Sequence, residues 1–189
     1  MRTTRTVLLA SLLVAMIFAA GQALSGIPNV ELVTTLAFVA GYLLGPVVGA
    51  GVGAAGMGAH SLFNVMGTVV PPVWLAQVAS FALVGAAGGL LGPAIARTRG
   101  GVRAAILAAV IGAALVIVYQ LAVNVVAFHT FTNDVDVWVY VWGGIAFGAV
   151  QVAWNAAVFG AAVPPMLRVL ARHRRELRPP RDAEAGRGR

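Results

Sequence analysis

Between Arg5 and Arg97 the chain carries one formal charge, Glu31, and between Arg103 and Arg168 only two, Asp134 and Asp136. A soluble domain of this size distributes charge over all its faces, at about a quarter of its residues. Here charged residues make up 10% of 189 and hydrophobic ones 60%. Such long uncharged intervals have the composition of grouped membrane spans. The expected class is an all-α integral membrane protein, multi-pass and embedded in a lipid bilayer.

The apolar intervals divide into six spans, roughly residues 7–24, 30–44, 46–66, 72–96, 102–127 and 137–170, which together form one domain over 1–170. Pro28, Pro46 and Pro72 stand at or just before helix starts, where a missing N–H costs nothing. Gly92-Pro93 and Pro164-Pro165 fall late in the fourth and sixth spans, so those helices are expected to kink or end there. The second span, at about fifteen residues, reaches only about 22 Å. A span that short requires either a locally thinned bilayer or burial of the second and third spans by their neighbours.

All thirteen basic residues are arginine, and they lie at the N-terminus, in the Arg97–Arg103 loop and from Arg168 onward. Under the positive-inside rule those places are cytoplasmic. A six-transmembrane-helix bundle with cytoplasmic N- and C-termini puts every arginine inside and Glu31, Asp134 and Asp136 at the outer surface. The same clustering argues against nucleic acid as the partner of the net charge of +7. Residues 171–189 read as a basic cytoplasmic tail, expected to be disordered. The N-terminal segment has the basic start and apolar core of a signal peptide, with Ala20-Gly21-Gln22-Ala23 as a conceivable cleavage site. Its long apolar run and the spans that follow favour a retained first helix.

Drawn on this topology, the polar side chains concentrate in the outer halves of the spans. Gln120 and Asn124, Gln151 and Asn155, and His60 and Asn64 are each spaced i and i+4, so each pair shares one helix face. An unpaired amide in hydrocarbon costs several kcal/mol, so these faces are expected to meet one another or to line an outward cavity. Glu31, at a helix start, reads either as a partner of the helix dipole and a nearby donor or as a pocket group. His60 reads as a hydrogen-bonded interior histidine or a ligand contact, and Trp138, Tyr140 and Trp142 as an interfacial belt or a stacking surface. Phe128–Asp136 is a loop that could close over such a pocket.

No enzyme constellation is present. Ser61 beside His60 lies in no Gly-x-Ser-x-Gly elbow, and HExxH, Walker and paired intramembrane aspartate motifs are absent. With no cysteine in the chain, disulfides and Cys-based metal sites are excluded. A non-enzyme without cofactor or metal is therefore expected. Gly41, Gly45, Gly49 and Gly53 recur every four residues, a spacing that lets membrane helices approach backbone to backbone.

The stretch Pro28-Asn29-Val30-Glu31 with Thr34, the Ala40-Gly41-Tyr42-Leu43-Leu44-Gly45-Pro46 turn and the small-residue helix from Gly49 to Phe63 resembles the substrate-binding S component of energy-coupling factor (ECF) transporters. Pro71-Pro72 and the Ala76-Gln77, Gly85 and Gly89 pattern continue the likeness. The resemblance implies a bacterial cell (inner or plasma) membrane protein that captures a small-molecule micronutrient or vitamin from outside. It would then dock on an ECF T component driven by two ATPase subunits. The family's docking face is an Ala-xxx-Ala pair on the first helix, which Ala15 and Ala19 match here, with Ser11 and Ala23 extending the stripe. The substrate site implied in the outer half draws its candidates from the polar set: Glu31, His60, Asn64, Gln77, Gln120, Asn124, Trp138, Trp142, Gln151 and Asn155. The alternative from the residues alone is a non-transport membrane scaffold or assembly protein, with the glycine faces binding partner helices.

Overall fold

A computed structural model describes residues 2–64, 70–131 and 136–177. These residues form six α-helices and no strand: α1 Arg2–Leu24, α2 Val33–Leu44, α3 Pro46–Leu62, α4 Pro71–Arg97, α5 Gly101–Phe131 and α6 Val137–Leu177. The chain is all-α, and α1, α4, α5 and α6 are long and apolar enough to cross a membrane. At 12 and 17 residues, α2 and α3 fall short of the roughly 20 residues that a perpendicular crossing needs.

Burial answers the question raised by the short second span. Nine of the twelve residues of α2 are buried, from Val33 to Tyr42, and α2 touches each of the other five helices. It is the central post of the bundle, shielded from the surroundings by protein. Phe38 on α2 meets Phe159 on α6 edge to face at 5.3 Å, and Phe159 fills the notch left by Gly112 on α5.

The glycine repeat resolves into two roles. Gly41, Gly49 and Gly85 bring α2, α3 and α4 together backbone to backbone, so that a Cβ on any of them would strike the main chain of another. Gly45 serves the turn instead, with φ 93° between α2 and α3, a region open chiefly to glycine. Gly51, on the opposite side of α3, has nothing near it.

Several helix ends differ from the expectation. The second helix starts at Val33, after a loop in which Asn29 takes φ 64°, and the third ends at Leu62. The expected continuation to Met66 falls in 65–69, outside the described residues. Neither Pro93 nor the Pro164-Pro165 pair ends its helix: α4 runs on to Arg97 and α6 to Leu177. Packed helices in an apolar environment retain such prolines because neighbouring groups satisfy the freed carbonyls. Of the expected tail, 178–189 lies outside the described residues, as does Asp134 in the expected lid.

Candidate functional site

A cavity of about 180 Å³ opens where the C-terminal end of α1, the α1–α2 loop and the C-terminal end of α3 meet the middles of α4, α5 and α6. The loop contributes Ser25 and Ile27 through Glu31, α3 contributes Met57 and His60, and Asn64 follows it. Phe81, Tyr119 and Gln151 form the wall supplied by the three long helices.

The position of this cavity relative to charge follows from helix rise. Counting from its lining residues, Arg5 lies about 24–28 Å away along α1, Arg97 about 24 Å along α4, Arg103 about 24 Å along α5 and Arg168 about 26 Å along α6. The arginines described on these four helices therefore lie toward the far end of each from the cavity. That separation approaches the roughly 30 Å thickness of a bilayer's hydrocarbon core.

Glu31 combines both readings open to it in sequence. Its Oε2 accepts the backbone N–H of Thr34 at 2.8 Å and its Oε1 the Thr34 hydroxyl at 2.6 Å, so it closes the first turn of α2. It also lines the cavity. Each carboxylate oxygen retains a lone pair beyond the bond it accepts. The Glu31 main chain is fixed in turn from the other side of the bundle: Trp154 Nε1 of α6 donates to its carbonyl at 2.7 Å.

His60 packs against the backbone of α1 at Gly21, where any side chain would run into the imidazole. Its Nδ1 is buried with no partner. Beside it, Gln22 Nε2 donates to the Phe63 carbonyl at 2.9 Å and leaves its own Oε1 unpaired. This junction ties the end of α1 to the end of α3 and sets the mouth of the cavity.

Of the ten residues proposed from sequence, Glu31, His60, Asn64 and Gln151 come together in this cavity. Gln77 stands behind it, hydrogen-bonded through its side chain to Tyr119, with its own Oε1 buried and unpaired. Gln120 Nε2 donates to Gln151 Oε1, so the two i,i+4 pairs of α5 and α6 meet in part by joining the helices. Asn155 is fully buried and donates its Nδ2 to the Gln151 carbonyl at 3.1 Å.

The remaining three, Asn124, Trp138 and Trp142, lie elsewhere. Gln120 and Asn124 face a separate, mostly apolar groove of about 370 Å³ between α5 and α6, where Asn124 packs at Gly144 and Gln120 at Gly148. Trp138 and Trp142 are exposed, at 66% and 68%, and sit about 20 Å and 14 Å along α6 from Gln151. They do not reach the cavity. Asp136 caps α6 by accepting the Trp138 N–H at 2.7 Å.

Phe81 and Tyr119 line the cavity although they were not among the ten, with their rings edge to face at 5.4 Å. Tyr119 neighbours Gln120, and its place in a helix otherwise aliphatic on that turn was the available signal. Phe81 carried none, because a lone aromatic in an apolar helix is ordinary core. Ala15 and Ala19 are exposed on α1, as are Ser11 and Ala23, while Leu13, Ile17 and Gly21 form its buried face. No family model, curated protein or solved structure matches the chain.

Proposed function

We propose that the chain is the membrane-embedded substrate-binding subunit of an ATP-driven, ECF-type micronutrient importer in a bacterial cell membrane. In this reading α1–α6 form six spans with cytoplasmic termini, and the cavity faces outward. The observation that carries the proposal is the cavity itself. One lining residue, His60, carries a buried Nδ1 with no partner, packed at Gly21, which also lines the cavity, and the cavity lies at the end of the bundle away from the arginines. An unsatisfied buried polar atom costs about 1–3 kcal/mol, and a solute able to pair with it recovers that cost.

The second support is α1. Its small residues Ser11, Ala15, Ala19 and Ala23 form an exposed stripe rather than an internal packing face, as a helix needs in order to meet a partner's helix closely. The partners in this reading are a T component and two ATPase subunits. At about 180 Å³ the cavity is smaller than the roughly 300–1,000 Å³ of drug-sized sites. It suits a one-ring or two-ring solute better than a corrinoid.

The test separates the cavity from the α5–α6 groove. His60→Leu removes a ring whose Nδ1 has no protein partner, so the fold should keep its stability while affinity for the transported solute falls at least tenfold, about 1.4 kcal/mol. Asn124→Leu should leave affinity unchanged. Equal affinities of His60→Leu and the wild type, measured by calorimetry on purified protein, would remove the cavity from consideration.

A further inference from the structure

We infer that the solute taken into the cavity is a small organic cation, held by Glu31 and by the aromatic wall of Phe81 and Tyr119; the inference rests on the substrate-capture reading above. Glu31 is the only carboxylate among the described lining residues, and no arginine lines the cavity with it. The chain contains no lysine, and the segments 65–69 and 132–135 contain no basic residue in sequence. The arginines described on α1, α4, α5 and α6 lie about 24–28 Å along their helices from the cavity.

The N-terminus of α2 offers at most about half a unit of positive charge to Glu31. A carboxylate in an apolar surrounding is otherwise compensated by a cation or a metal. An ammonium, amidinium or protonated heterocycle entering the cavity would meet the free lone pairs of Glu31. A carboxylate or phosphate solute would meet the Glu31 charge there, with no guanidinium to receive it and His60 as the one basic side chain among the described lining residues.

The aromatic wall adds an independent reason. Phe81 is 3% exposed and fixed edge to face against Tyr119. Aromatic ring faces attract cations, and they do so more strongly where water is excluded. A carboxylate with two aromatic side chains around a small cavity is the donor set that suits a compact cation rather than an anion.

The experiment uses the purified full chain and charge-matched probes: choline with neutral 3,3-dimethylbutan-1-ol, and benzylamine with benzyl alcohol and benzoate. Thermal unfolding is followed for the wild type and Glu31→Gln, alongside a panel of water-soluble vitamins. Cationic members should stabilise the wild type, their neutral and anionic counterparts should bind at least tenfold more weakly, and Glu31→Gln should erase the difference. The contrast within the wild type decides the matter even if Glu31→Gln fails to fold. Neutral or anionic members binding as well as cations, or no cation binding at all, would overturn the inference. Vitamin binding that is insensitive to Glu31→Gln would end the cation assignment while leaving substrate capture intact. Silence across both panels would count against substrate capture itself.

Discussion

Gly85→Leu should prevent the bundle from assembling. The obstacle to a side chain at this position is the backbone of α3 at Gly49 and Ala50, and no rotamer change relieves a clash with main chain. Overpacking a core against movable side chains costs about 1–3 kcal/mol, and contact with the backbone of α3 exceeds that. A loss above about 3 kcal/mol lowers the melting temperature by about 6–12 °C for a chain of this length. We expect Gly85→Leu to elute as aggregate in detergent or to melt at least that much lower. Gly51→Leu, on the open side of α3, is the control and should stay within about 0.5 kcal/mol of wild type. A wild-type melting curve for Gly85→Leu would show that α2, α3 and α4 do not meet as described.

Ala15→Trp and Ala19→Trp should abolish uptake in cells while leaving solute binding by the purified protein unchanged. Both positions are exposed, and the buried face of α1 is the separate row of Leu13, Ile17 and Gly21. An indole there disturbs nothing within the bundle but holds a partner helix several ångströms away, where the close packing of small residues is lost. Val110→Trp, on the exposed face of α5, serves as the control for bulk alone and should transport normally. Uptake at the wild-type rate in both alanine variants would show that α1 is not the docking surface.

Much of the helix map is legible in the charge gaps and prolines, because both act through the local chain. Pro46 and Pro71 begin helices where a missing N–H is harmless. Where neighbours override local chemistry, the sequence leaves two outcomes open and the packing chooses between them. Pro93, Pro164 and Pro165 lie inside helices that continue past them, and the short α2 is sustained by burial rather than by its own length. Read from sequence, the second helix starts at residue 30, whereas in the structure it starts at Val33. In the structure Asn29 takes φ 64°, and each Glu31 carboxylate oxygen accepts one bond from Thr34 that closes the turn.

The candidate site was legible to the level of helix faces. Spacing of i and i+4 places Gln120 with Asn124 and Gln151 with Asn155, but it does not give the rotation of each helix about its axis. That rotation decides that Gln151 borders the cavity while Asn124 faces the α5–α6 groove. Depth along the helix decides the rest: Trp138 and Trp142 are too far along α6 to contribute. Glu31, in the α1–α2 loop, and His60, on α3, both line the cavity beside the Gln22 hydrogen bond that joins α1 to the end of α3.

The most direct test of substrate capture is binding by the wild-type protein itself. Purified full-length chain in detergent is scanned against B-group vitamins, cobalamin and nucleobase-like precursors, and any hit is titrated by calorimetry. The account predicts that one small solute binds at one site per chain. At a thousandfold excess over its Kd it should stabilise by about 4 kcal/mol, raising the melting temperature by about 8–16 °C. Cobalamin should have no effect. A flat response to the whole panel, with a non-ATPase membrane protein co-purifying stably instead, would contradict substrate capture and favour a scaffold.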